Sequence, residues 1–279
     1  MRIGWIGAGK VGSSLGRYFT EHGIAVSGYY SRRYESAAEA AAYTKTRAFE
    51  TMEALVEESD VLFLTVPDGA IAQVWEGLKE MNIRQKVICH CSGVLSSEIF
   101  SNCAVQECSG CSIHPLLAVS SRRLPTQELS SAIFTIEGDE KAVGEIGALV
   151  RSCGNTVIPI RAEEKPRYHA AAVLASNLVL SLAAAAQEEL VQCGFSEKEA
   201  LAALAPLMQA NTAHLSEQSL EDALTGPVER GDADTVRRHL TVLSGDDRAI
   251  YELLSRKALV LAGKKHPQRD YEELKELLV

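Results

Sequence analysis

The hydrophobic pattern divides the chain into two regimes. Up to about Ile160, short apolar runs alternate with amphipathic segments; beyond it the apolar positions recur with helical spacing only. Arg2 to Ile6 reads as a strand, and the stretch from Gly12 to Gly23 as an amphipathic helix. Ile24 to Tyr30 reads as a second strand. Tyr34 to Tyr43 is an Ala-rich helix, Lys45 to Phe49 a short strand, and Thr51 to Glu58 a short helix. Val61 to Val66 is apolar throughout, as expected of a strand buried on both faces. It stops at Pro67-Asp68, where Asp68 is placed to cap a helix running to Glu80. Lys86–His90, Cys111–Ile113, Ile133–Ile136 and Thr156–Ile160 predict further strands, and Glu140–Arg151 a helix between the last two. Repeated β-α-β units imply a mostly parallel sheet with right-handed crossovers.

After Ile160 no strand is predicted. Pro166 stands at a helix-compatible first position, and Ser196-x-x-Glu199 is a capping box opening another helix. Pro206 should kink or break that second helix. Helices follow from Asp232 or Ala233 to Leu243, from Asp246 or Asp247 to about Leu261, and over Pro267 to Val279. The pattern predicts two domains, a sheet domain over residues 1–161 and an all-helical one over 162–279. The run Ala170 to Ala186 is short and weakly hydrophobic for a membrane span, with Ser176, Asn177 and Ser181 inside it. It is expected to be a buried helix.

Composition adds exclusions. At 46% apolar and 23% charged residues the 279-residue chain fits an ordinary soluble globule. The net charge of -9 argues against nucleic acid or an anionic membrane as partner. No targeting segment is expected before Arg2. Seven cysteines, an odd number in a chain that is not small, point to reduced thiols and a cytoplasmic setting. Cys89-x-Cys91 and Cys108-x-x-Cys111 read as buried and loop thiols rather than metal ligands, so no metal is expected.

The candidate chemistry lies at strand ends. The first strand runs into Gly7-Ala8-Gly9-Lys10-Val11-Gly12 and then a helix, the setting that makes G-x-G-x-x-G a dinucleotide motif. Gly7 permits the tight turn, Gly9 lets the backbone approach a pyrophosphate, and Gly12 permits close helix–strand packing. At the end of the second strand, where NAD binders carry a carboxylate, stand Ser31, Arg32 and Arg33. Guanidinium groups pair with a ribose 2′-phosphate, so the expected cofactor is NADP(H) rather than NAD. Ligands of an open α/β sheet lie beyond the carboxyl ends of its strands. That rule adds Val66 and Pro67, on the nicotinamide side, and Ser92 and Gly93 with a hydroxyl and close-approach amides. It also adds His114, placed just after a strand as a proton donor or carbonyl-orienting group. His90, inside its strand end, is expected to be structural.

A second group opens the long helix. His169 and Ser176 fall within about 20° of one another on a regular helix, and Asn177 about 80° away. Lys165 stands one turn before His169. Lys, His, Ser and Asn together suit binding a carboxylate or polarising a carbonyl better than packing. Thr225-Gly226-Pro227 and Arg230-Gly231-Asp232 form a rigid polar loop in which Arg230 can meet an acidic substrate and Asp232 an N-cap.

These motifs resemble a family of Rossmann-like NADP oxidoreductase-type proteins with an uncharacterised all-helical C-terminal domain. The likeness rests on Gly7–Gly12, Val66-Pro67-Asp68, His90-Cys91-Ser92-Gly93 and Ser112-Ile113-His114-Pro115-Leu116. It continues in Lys165, Tyr168-His169-Ala170-Ala171-Ala172, Ser176-Asn177, Leu224-Thr225-Gly226-Pro227, Arg230-Gly231-Asp232 and His239-Leu240. The resemblance implies a fold akin to the 6-phosphogluconate dehydrogenase and ketopantoate reductase superfamily, often a homodimer through the helical domain. It also implies kinship with deazaflavin-dependent NADP oxidoreductases and pyrroline-carboxylate reductases. Enzymes of the β-hydroxyacid branch carry a helix-borne Lys with an Asn one turn later; here His169 takes that place. The expected activity is NADP(H)-dependent reduction of a carbonyl or imine of a small acidic metabolite such as a ketopantoate-like oxo acid. Lys165, His169, Asn177 and His114 are the catalytic candidates, and Ser176, Thr225, Gly226 and Arg230 the substrate-binding ones. A deazaflavin-dependent oxidoreductase and a non-catalytic NADP-binding or sensing protein are the alternatives.

Overall fold

The computed structural model describes residues 1–278. The first part of the chain builds an eight-stranded sheet. Its strands are β1 (Ile3–Ile6), β2 (Val26–Tyr30), β3 (Arg47–Ala48), β4 (Val61–Leu64), β5 (Val87–His90), β6 (Ser109–Pro115), β7 (Phe134–Gly138) and β8 (Val157–Pro159). The helices between them are α1 (Lys10–Glu21), α2 (Tyr34–Thr44), α3 (Met52–Glu57), α4 (Asp68–Lys79), α5 (Thr126–Ser130) and α6 (Glu140–Ser152). After β8 come α7 (Lys165–Ala175), α8 (Asn177–Gln192), α9 (Glu197–Ala213), α10 (Leu220–Ala223), α11 (Pro227–Arg230), α12 (Ala233–Val242), α13 (Gly245–Lys265) and α14 (Glu272–Leu277).

The strand order is β3-β2-β1-β4-β5-β6-β7-β8. All neighbours are parallel except β6 and β7. The order reverses between β1 and β4, and in open α/β sheets that switch point opens the ligand crevice. The apolar runs are continuous because alternate residues feed two cores. Ile3, Trp5, Val61, Phe63, Val87 and Cys89 pack with α1 and α2 on one face. Ile6, Leu62, Leu64 and Ile88 pack with Leu55, Ile71 and Trp75 on the other. Burial on both faces removes the polar half of the usual strand alternation.

Contacts divide the chain after Ser176, not after 161. The reason is local: Lys165, Tyr168 and His169 of α7 bond or pack against the loops at β5 and β6, so α7 belongs with the sheet. The unit from Asn177 onward is entirely helical among the described residues, with a small core of Val228, Val236, Leu240, Ala262, Tyr271 and Leu274. The predicted capping box of α9 is present, Ser196 accepting from Glu199 N and the Glu199 side chain accepting from Ser196 N. Asp232 caps α12 by accepting from Thr235 N at 3.0 Å.

Two expectations are corrected and a third is narrowed. Of a kink or a break at Pro206, the break does not occur, α9 running through that residue; the helix is exposed, only Ala200 being buried, so water can take the carbonyl that Pro206 leaves unbonded. The run Ala170–Ala186 is not buried. The helical stretch Ala162–Gln192 is long and apolar enough to cross a membrane by length and composition, and none of its most apolar window is covered within the chain. Being apolar on all sides says that a helix needs cover, not which surface supplies it. Lastly, α7 stops at Ala175, and Ser176, at φ -127° and ψ -79°, leaves helical geometry. The alignment of Ser176 with His169 on one helix face therefore does not form; Ser176 Oγ donates to Ala172 O at 2.7 Å.

Candidate active site

The dinucleotide loop has the geometry its glycines predict. Gly7 sits at φ 111°, and a side chain there would meet the Thr65 carbonyl at 2.7 Å. Gly12 is closed off by Thr65 Oγ1 and Gly7 O. Gly9 differs: a Cβ there would meet only Thr65 O, at 3.8 Å. The protein does not need that space, and a pyrophosphate approaching the first turn of α1 does. No acidic side chain lies in that turn, so its free amides and the positive helix end face an anion unopposed. Ser31, Arg32 and Arg33 follow β2, on the same sheet edge as this loop. Both arginines are exposed, and neither side chain forms an ion pair or hydrogen bond among the described residues. These residues fit NADP(H), none of the three being a carboxylate that would repel the 2′-phosphate.

The loops after β4 and β5 are tied together. Asp68 does not cap α4; Pro67 holds that position, and no side chain bonds there. The Asp68 carboxylate instead accepts from Ser92 Oγ at 2.8 Å. Ser92 Oγ in turn accepts from Val94 N at 3.3 Å and Leu95 N at 3.0 Å. His90 is structural, as expected. Its Nδ1 accepts from Ser92 N at 3.2 Å and its Nε2–H donates to Ser96 O at 3.2 Å. Burial pushes its pKa down to about 4, keeping it neutral in that role. Glu137, buried on β7, accepts from Ser97 N and Ser97 Oγ, both at 2.7 Å.

α7 brings its polar residues to this loop. Lys165 is only 1% exposed. Its ammonium donates to Ser92 O at 2.7 Å and to Ser112 Oγ. Burial lowers its pKa to about 8, against the opposing pull of Glu137, Cys91 and Asp68. Lys165 thus braces the Ser92–Gly93 loop from beneath. His169 lies on top of that loop. A Cβ at Gly93 would stand 2.6 Å from His169 Nδ1 and 3.1 Å from His114 Nε2, so only glycine fits between the two rings. His169 Nδ1 is buried with no hydrogen-bond partner among the described residues. His114 lies within β6 rather than after it. Its Nδ1 is 2.7 Å from Tyr168 Oη. Burial, with Lys165 and His169 adding to it, lowers the His114 pKa to about 4. The ring is neutral near pH 7, which favours orienting a carbonyl over donating a proton as imidazolium.

The structure therefore brings together Ser92, Gly93, His114, Lys165 and His169, with Val66 and Pro67 at the end of the neighbouring strand. Asn177 opens α8, Thr225 and Gly226 precede α11, with Gly226 at φ 107°, and Arg230 ends α11. These four belong to the second unit. Tyr168 and the Asp68–Ser92 pair are additions to the predicted site. Tyr168 carried one signal, its place between Lys165 and His169 on a helix turn.

Comparison with known proteins finds relatives of two kinds. Residues 2–92 match the family described as NADP oxidoreductase, coenzyme F420-dependent. Residues 132–258 match a domain of unknown function. A solved protein of Thermotoga maritima is 28% identical, with a TM-score of 0.74, over 94% of this chain and 99% of its own. A protein of Bacteroides fragilis, provisionally assigned as an NADP oxidoreductase, is 23% identical with a TM-score of 0.72, over 93% of this chain and 98% of its own. Plasmodium falciparum pyrroline carboxylate reductase, solved with NADP bound, shares the fold at 14% identity and a TM-score of 0.60, over 94% and 98%. No curated protein matches the chain in sequence.

Proposed function

We propose that this chain is an NADPH-dependent reductase acting on the carbonyl or imine carbon of a small acidic metabolite, ketopantoate-like 2-oxo acids being the first candidates. One observation carries the reading: two imidazoles converge over a glycine at the carboxyl end of β5 and β6, one with a buried nitrogen that has no hydrogen-bond partner among the described residues. Such a nitrogen is costly unless a ligand partners it. NADPH, when bound, supplies the hydride.

The chain's own residues do the rest. Gly7, Ala8, Gly9, Lys10, Val11 and Gly12 hold the pyrophosphate. Ser31, Arg32 and Arg33 hold the 2′-phosphate, and Val66, Pro67, Ser92 and Gly93 wall the nicotinamide. His169 and His114 hold the substrate oxygen. Lys165, two of its three hydrogens committed to Ser92 and Ser112, fixes the loop and places positive charge beneath the oxygen as negative charge grows on it. Asn177, Ser176, Thr225, Gly226 and Arg230 are assigned to the substrate carboxylate on the sequence alone. The test is NADPH consumption across panels of 2-oxo acids and cyclic imines. Turnover of a panel member supports the reading; tight NADPH binding with no turnover by any member overturns it.

The match of residues 2–92 favours a second reading, a deazaflavin-dependent NADP oxidoreductase, which NADP-dependent oxidation of the reduced deazaflavin would reveal. The partnerless His169 nitrogen argues against a protein that only senses NADP. The exposed leucines of the helical unit support a homodimer as the working form. The seven free thiols support a cytoplasmic site of action, and the acidic charge supports small-molecule rather than nucleic-acid or membrane partners.

A further inference from the structure

We infer that Tyr168 is a positioning residue that holds His114 as the Nε2–H tautomer, and that the site is thereby built for an oxygen acceptor, a ketone, rather than for an iminium cation. The inference rests on the reductase reading and narrows it.

The argument is one of proton placement. Tyr168 Oη and His114 Nδ1 are 2.7 Å apart, and only one of them can carry the shared hydrogen. Burial holds the phenol above its ordinary pKa, with Thr135 opposing, so the phenol keeps its proton. Thr135 faces His114 across the β6–β7 pairing, yet its Oγ1 is buried and outside hydrogen-bonding geometry. The phenol proton therefore has one acceptor among the described residues, His114 Nδ1. A neutral imidazole that accepts at Nδ1 donates at Nε2. That nitrogen points to the space over Gly93, beside His169 Nδ1.

The donor selects the ligand. A carbonyl oxygen accepts the Nε2–H. The carboxylates of Asp68 and Glu137, which act on Lys165, already accept from Ser92 and Ser97. An iminium N–H presents a donor to a donor.

Nitrogen-15 NMR of the full-length protein reads the tautomer without any substrate. The expected spectrum shows His114 protonated at Nε2 and bare at Nδ1. Tyr168→Phe should mix the tautomers and lower kcat/KM for the oxo substrate about ten- to a hundredfold, the scale of losing an orienting partner, while NADPH affinity stays unchanged. Thr135→Val should leave the tautomer alone, and an unchanged melting profile for each variant excludes unfolding as the cause. Protonation at Nδ1 in the wild type, an unmoved tautomer in Tyr168→Phe, or a shift in Thr135→Val would each overturn the proposal. So would a preference for cyclic imines over oxo acids. If nothing consumes NADPH but the tautomer behaves as described, it is the reductase reading that fails and not the positioning role.

Discussion

The sheet unit and the helical unit solve the burial problem differently. In the sheet unit nearly every strand residue is covered, and Trp5, Trp75, Tyr18, Tyr29 and Phe63 are buried almost completely. In the helical unit α8 has no buried residue, and α9 has only Ala200. Leu180 is 73% exposed, and Leu182, Leu207, Leu253, Leu254 and Val260 are exposed as well. Exposed apolar surface of that extent marks an interaction site. The contrast teaches that the first unit covers its own core, whereas the second leaves apolar helix faces uncovered.

The contrast can be broken most sharply at the chemistry. His169→Ala should lower kcat about 100- to 1000-fold, the usual cost of one oxygen-binding donor, with NADPH affinity and the helical unit untouched; steady-state kinetics beside a cofactor titration would check it. Arg32→Ala with Arg33→Ala removes charge-assisted contacts of about 1.5–3 kcal/mol each. NADPH binding should weaken at least tenfold while NADH binding barely changes, as read by fluorescence titration. Equal affinities for the two cofactors in the unaltered protein would remove the assignment of those arginines.

Acid should separate the units next. The folded sheet unit holds His90 and His114 near pKa 4, against an ordinary 6.5. Between those values the unfolded chain binds protons that the folded rings refuse. Stability therefore falls as pH drops from about 6.5 toward 4 and levels off below it. Hydrogen exchange followed by unit should show that loss in the strands around β5 and β6. The smallest effect on the sheet unit should come from Leu254→Glu on α13. It should convert a dimer to a monomer in sedimentation velocity and leave NADPH affinity as it was; a protein already monomeric would show that something else covers those helices.

Legibility in the sequence followed the same divide. The buried strands were readable because burial on both faces leaves unbroken apolar runs, as at Val61–Leu64. The glycine motif was readable because each glycine answers a steric demand within a few residues. Lys165 and His169 were readable as residue types that packing alone does not call for. Tyr168 was readable as part of a motif but not in its role, which depends on a partner 54 residues away in the chain. Asp68 looked like a cap because local rules favour it there, and a tertiary bond to Ser92 won instead. The exposure of α8 was hidden because an all-apolar helix has the same composition whether its own chain or another surface covers it. Ser176 was misplaced because a helical wheel assumes an unbroken helix.

The most direct test of the account is a crystal structure with NADPH and a 2-oxo acid bound. The account predicts the pyrophosphate on the Gly7–Gly12 amides, the 2′-phosphate against Arg32 and Arg33, and the nicotinamide beside Gly93 with the oxo group on His114 and His169. A nicotinamide turned away from Gly93, or a pyrophosphate seated elsewhere, would contradict it.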